Sequence, residues 1–87
     1  MNHLLEFYGT ECTQCKEMHD LVVRLAQEEG VQVEQIEAWH NKANEKRLIE
    51  LDCGRCNGVP FFYNTQTKKW LCGVVSYEEL KNWALDI

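Results

Sequence analysis

Apolar and polar positions along the chain change period several times, and each change marks an element. His3 to Tyr8 (HLLEFY) is a short apolar run broken only by Glu6, and it predicts a buried strand. Gly9-Thr10-Glu11 interrupts it. From Cys12 onward Met18, Leu21, Val22 and Leu25 recur at helical spacing, and Gly30 is placed to cap that helix. Val31 and Val33 alternate with polar residues and Ile36 follows, which predicts a second strand over 31–38. A polar stretch, His40 to Lys46, leads into Arg47–Asp52, read as the last turns of a short helix. Cys53 to Gly58 is a loop. Pro60 opens a strand over Phe61-Phe62-Tyr63, since a proline is tolerated at a strand's first residue. Asn64 to Thr67 turns the chain, and Lys69 to Cys72 returns as the partner of a hairpin. Gly73 bends the chain away. Ser76 with Glu79 three residues on forms a capping box, and Leu80, Trp83, Ala84 and Ile87 give the last helix its apolar face.

The predicted order is β-α-β-α-β-β-α, a single α/β domain over residues 1–87. It folds as a four-stranded mixed sheet flanked by three helices. Both helical crossovers are expected to join parallel strands with right-handed connections. No internal repeat, linker or low-complexity segment is present.

Composition narrows the function classes. Eighty-seven residues with 45% hydrophobic content and one proline describe a globular domain. No run of 18 apolar residues is present, so no membrane partner is expected. No basic segment followed by a long apolar stretch opens the chain, so no signal peptide is visible. A net charge of −5 argues against a nucleic-acid partner, which calls for a basic footprint.

Five cysteines change the picture most. Four of them fall into two C-x-x-C pairs, Cys12/Cys15 and Cys53/Cys56, and Cys72 stands apart. Such spacing points to redox chemistry or metal binding rather than to a static disulfide scaffold. Cys12 lies where the first strand gives way to the first helix. The first helical turn has unpaired N–H groups and partial positive charge, and both stabilise a thiolate. Cys15, one turn on, is placed to resolve a mixed disulfide by attacking the Cys12 sulfur. Lys16 favours the thiolate, whereas Glu11 and Glu17 oppose it.

The segment Glu6-Phe7-Tyr8-Gly9-Thr10-Glu11-Cys12-Thr13-Gln14-Cys15-Lys16 resembles the active-site stretch of thioredoxins. Gly58-Val59-Pro60-Phe61 resembles that family's cis-proline motif, and Gly73 with its capped terminal helix resembles the family's ending. The likeness covers nearly the whole chain. The family's extra N-terminal strand and helix are missing, so the layout is as compact as a glutaredoxin. The resemblance implies that Cys12 attacks, that Cys15 resolves, and that Glu6 is a buried acid assisting proton transfer at Cys15. The residues alone leave Glu6 open between that place and a strand edge facing water. The resemblance further implies a cis bond at Pro60, with Val59 and Gly73 beside a bound substrate strand. The departures are specific. Glu11 replaces the tryptophan before the first cysteine, and Thr13-Gln14 replaces Gly-Pro. Asp20 replaces a helix-kinking proline, and Gly73-Val74-Val75-Ser76 does not match a glutathione site.

The pair Cys53/Cys56 is outside that pattern. It reads as a second redox couple that relays electrons to or from Cys12/Cys15, as a regulatory disulfide, or as a metal knuckle that completes a four-thiolate zinc or iron–sulfur site with Cys12 and Cys15. Cys72 reads as a buried small hydrophobe. His19, one turn after Cys15, reads as a solvent-facing helix residue. The expected activity is disulfide exchange on protein substrates through Cys12/Cys15, with no cofactor of the protein's own. A reductase or glutathione serves as electron donor. The alternative is a metal module on Cys12, Cys15, Cys53 and Cys56. The expected location is the cytoplasm, or an organelle stroma or matrix after removal of a targeting peptide.

Overall fold

The structure, a computed structural model, describes residues 3–85. The element order is β1 (Leu4–Tyr8), α1 (Thr13–Glu29), β2 (Val33–Glu37), α2 (Lys42–Asp52), β3 (Phe61–Asn64), β4 (Trp70–Cys72) and α3 (Tyr77–Leu85). The sheet order is β2-β1-β3-β4. β1 pairs with β2 in parallel and with β3 antiparallel, and β3 pairs with β4 antiparallel. The expected β-α-β-α-β-β-α order and mixed sheet are therefore present. One connection differs from expectation. β3 opposes β1, so the crossover through α2 joins antiparallel strands rather than parallel ones.

Side-chain alternation sorts the core into two layers. On one face Leu4 and Phe62 pack against Met18, Val22 and Leu25 of α1 and against Leu80, Trp83 and Ala84 of α3. Phe62 meets Trp83 edge-on, with ring centroids 5.5 Å apart. On the other face Leu5, Phe7, Phe61 and Tyr63 pack with Ile36, Ala38 and Leu48. Glu6 shares the parity of Leu4, so its side chain is on the face that α1 covers. β1 is buried on both faces, which is why its sequence shows no alternation.

The helix ends follow the sequence. Gly30 takes φ 68° and its N–H bonds to the Ala26 carbonyl, closing α1 in a conformation that glycine adopts without a Cβ penalty. Ser76 Oγ accepts from the Glu79 N–H at 3.1 Å and donates to Glu79 Oε1 at 3.2 Å, so the capping pair before α3 is formed. α2 begins earlier than the apolar pattern indicates. Asn41 caps it, its side-chain oxygen accepting from the Asn44 N–H at 3.1 Å. Only Leu48 and Asp52 are buried on that helix, so its first turns carry no apolar period to read. Ile87 lies outside the described residues. Among the described residues no helix is long and apolar enough to cross a membrane.

Candidate active site

β1 ends at Tyr8, and Gly9-Thr10-Glu11 carries the chain to the start of α1. Cys12 is the N-cap of that helix, in an extended conformation, and its Sγ accepts the backbone N–H of Cys15 at 3.1 Å. Negative charge on this sulfur is therefore met by a directed N–H donor and by the positive end of a 17-residue helix. Cys12 and Cys15 form a disulfide with Cα atoms 5.2 Å apart. The two sulfurs have different surroundings. Cys12 sits at the helix tip, whereas Cys15 is one turn inward and lines a cavity of about 210 Å³ together with Glu6, Lys16, His19 and Gln35.

Glu6 is fully buried, which decides between its two sequence readings. Its Oε1 accepts from Gln35 Nε2 at 2.9 Å, and its Oε2 has no hydrogen-bond partner. Burial pushes the Glu6 pKa up, and the Gln35 hydrogen bond and the nearby His19 only partly offset that. A carboxyl in this state suits proton transfer at Cys15. It also makes stability depend on pH. A carboxyl whose folded pKa is raised binds its proton more tightly in the folded chain. Stability is therefore lost as pH rises from the unfolded carboxyl value of about 4.3 through the raised folded value. Glu6→Gln should remove that loss. The urea midpoint of the wild type should fall relative to the variant as pH is raised across this window, and parallel curves would contradict the assignment.

A second set of contacts holds the segment before Cys12. Glu37, at the end of β2, accepts from the Thr10 N–H at 3.1 Å, from Thr10 Oγ1 at 3.2 Å and from the His40 N–H at 2.7 Å. Desolvation raises the Glu37 pKa, but the backbone donors of His40 and Thr10 outweigh it and hold the carboxyl below its usual value. Glu11, beside Cys12, is paired with His40 Nε2 at 2.7 Å. The Glu11 hydrogen bond and charge raise the His40 pKa, which favours the imidazolium form that counters the Glu11 charge next to the thiol. His40 is 29 residues from Glu11 in sequence, so the neighbours of Cys12 alone do not reveal this partner. Gly9 is buried against the Trp39 ring, and a Cβ there would collide with it, so Trp39 fits this chain only over a glycine. His40, Glu37, Gln35 and Trp39 all follow β2 or lie on it. Parallel pairing of β1 with β2 brings them to Glu6 and to the Gly9–Glu11 segment that leads into Cys12, a juxtaposition that sequence spacing does not contain.

The Val59–Pro60 peptide is cis. Pro60 is buried and its carbonyl accepts the Gly73 N–H at 2.9 Å, where Gly73 takes φ 70°. Val59 and Gly73 thus belong to adjacent loops.

The second cysteine pair differs from the expectation. Cys53 and Cys56 are not joined. Cys56 is bridged to Cys72 with Cα atoms 5.4 Å apart, and Cys53 is a free, exposed thiol whose Sγ donates to the Glu50 carbonyl at 3.1 Å. The reason lies in the hairpin. β3 pairs with β4 so that Phe61 faces Cys72, and the loop before Pro60 folds back over that end of β4. Asp52 fixes the loop by accepting the Cys56 and Asn57 N–H groups at 2.6 and 2.8 Å, and Arg55 stacks over Trp70 at 4.0 Å. Cys72 is accordingly an exposed disulfide partner and not a buried hydrophobe. The four cysteines of the metal alternative do not converge. Cys12 bonds Cys15, Cys56 bonds Cys72, and among the described residues no group of three or more histidines, cysteines and acids is arranged to hold an ion.

No protein-family model matches the chain, and no curated protein matches it in sequence. Its structure is similar to the crystal structure of a glutaredoxin from Archaeoglobus fulgidus, with a TM-score of 0.71 and 22% identity over 95% of this chain and 86% of that one. The chain therefore has the thioredoxin-like fold that this glutaredoxin displays, with a Cys12–Cys15 disulfide at the start of its first helix.

Proposed function

We propose that this protein is a thiol–disulfide oxidoreductase that reduces disulfides of protein substrates through Cys12 and Cys15. One observation carries the reading. A C-x-x-C disulfide caps a helix, with its first sulfur held by a backbone N–H and its second facing a cavity that contains a buried carboxyl. The Cys12 thiolate attacks a substrate disulfide. One substrate sulfur leaves as thiolate and the other becomes bonded to Cys12. Cys15 gives its proton to Glu6 and attacks the Cys12 sulfur. The second substrate thiolate leaves, and the Cys12–Cys15 disulfide results. Two electrons have passed from the protein to the substrate. Val59 and Gly73 flank the cis-Pro60 loop and offer main-chain groups to a substrate strand. A reductase or glutathione in a reducing compartment such as the cytoplasm would restore the dithiol. No cofactor is needed for the exchange.

The test is single-turnover reduction of a disulfide peptide by the pre-reduced protein. Peptide reduction should be matched by an equal amount of Cys12–Cys15 disulfide in a peptide map. An unreduced peptide, or reduction matched by some other disulfide, would overturn the reading.

A further inference from the structure

Glu6 is buried but not isolated. Gln35 lies beside it at the paired position of β2 and spans from the buried carboxyl to the surface. Its Nε2 donates to Glu6 Oε1 at 2.9 Å and lies 2.7 Å from Nδ1 of His19, an exposed residue on α1. A primary amide nitrogen has two N–H groups and no acceptor capacity. Both contacts are satisfied together only when His19 Nδ1 carries no proton and accepts. In that arrangement Oε1 is occupied by the amide, and Oε2, the unpartnered oxygen, is the one left to receive a proton.

We propose that His19 is a positioning residue for Glu6, acting through Gln35: neutral His19 holds the amide with its NH₂ toward Glu6 Oε1 and so keeps Oε2 as the proton acceptor for Cys15. The proposal rests on the disulfide-exchange reading given above. In the step itself the Cys15 S–H bond breaks and an O–H bond forms on Oε2; the Cys15 sulfur's electron pair makes the bond to Cys12 as the Cys12–substrate S–S bond breaks, and the substrate sulfur leaves as thiolate. When His19 takes a second proton, Nδ1–H meets the amide N–H and the amide turns over. Its oxygen then faces both His19 and Glu6 Oε1. An ionised Oε1 cannot tolerate that oxygen, whereas a protonated one donates to it. The proton is then parked on Glu6, and the base is lost. The positive charge of the imidazolium acts in the opposite sense, but His19 is exposed and its charge is screened by water. The lost hydrogen bond to a fully buried carboxylate has no such screening.

Few other groups titrate here. Cys15, Lys16 and Tyr8 are the remaining ionisable residues lining the cavity with Glu6 and His19. On the far side of His19, α1, β2 and the segment between them present Val22, Val23, Ala26, Val31, Gln32 and Val33, none of which ionises.

Two measurements on the full chain test this. The first is nitrogen NMR of the ¹⁵N-histidine-labelled, reduced protein. Neutral His19 should be essentially all in the tautomer protonated at Nε2, and Gln35→Leu should relax it to the Nε2–H/Nδ1–H mixture of an unpartnered imidazole. A neutral His19 protonated at Nδ1, or a preference unchanged in Gln35→Leu, would overturn the proposal. The second is the rate at which Cys15 resolves a mixed disulfide preformed on Cys12, followed from pH 5 to 8. In the wild type the rate should fall at least three-fold as His19, watched by NMR, becomes protonated. In His19→Ala that inflection should vanish while the ionisation of Glu6 remains. An identical profile in His19→Ala would overturn the proposal. His19 and Gln35 are both exposed, so neither substitution removes core packing. The tautomer is read without turnover, so a protein that resolves no mixed disulfide but shows the expected tautomer would contradict the exchange reading instead.

Discussion

Replacing Cys12 by serine should reduce the rate of disulfide exchange by at least about a thousand-fold, equivalent to ~4 kcal/mol of transition-state stabilisation. A serine hydroxyl keeps the N-cap role, because its oxygen accepts the Cys15 N–H as the sulfur does. Helix α1 should therefore remain formed and the urea midpoint of the reduced protein should change little. What is lost is the nucleophile. A hydroxyl is not ionised near neutral pH, and oxygen does not form a stable bond to a substrate sulfur in this reaction. The check is paired: exchange rates with a disulfide peptide, and unfolding of the same preparation. Retention of more than a few per cent of the rate with intact folding would assign the chemistry to another cysteine.

The second large effect concerns stability. Cys56 and Cys72 are 16 residues apart, and closing a loop of that length in the unfolded chain is worth about 3 kcal/mol in the chain-entropy picture. For a domain of this size that is a large share of the total, which is ~5–15 kcal/mol for native proteins. The double variant Cys56→Ala/Cys72→Ala, with Cys12–Cys15 left oxidised, should lose about that amount in urea unfolding. The Gly73 N–H, which bonds to the Pro60 carbonyl, should exchange with deuterium faster. Cys53→Ala should do neither, since Cys53 is free and exposed. Equal stability of the double variant and the wild type would show that the loop is held by Asp52 and the Arg55–Trp70 stack without the bridge.

The elements were legible where side chains carry a period. α1 shows its apolar stripe from Met18 to Leu25 and its glycine cap, and α3 shows Ser76 with Glu79. Cys12 could be placed at a helix start because Gly9-Thr10-Glu11 separates an apolar run from that stripe. Four things were not legible, each for a physical reason. β1 is buried on both faces, so Leu4-Leu5-Glu6-Phe7 does not tell which way Glu6 points. The start of α2 rests on the Asn41 cap and on polar residues that pack against little. The partner of Cys56 depends on the Val59–Pro60 turn and on the β3–β4 register, both of which place Cys72 nearer than the sequence neighbour Cys53. The contacts around the first cysteine pair were hidden for the same kind of reason. Gln35, Glu37, Trp39 and His40 reach Glu6 and the Gly9–Glu11 segment through the pairing of two strands separated by a whole helix.

The central claim is that Cys12 makes the covalent bond to substrate and Cys15 breaks it. Removing only the second thiol should therefore stop the reaction midway. Reduced Cys15→Ser protein, mixed with an excess of a disulfide peptide and quenched in acid, should gain the mass of one peptide half. Fragmentation should place the adduct on Cys12, and dithiothreitol should release it. An adduct absent from Cys12, or one found on Cys53, Cys56 or Cys72 in its place, would contradict the account.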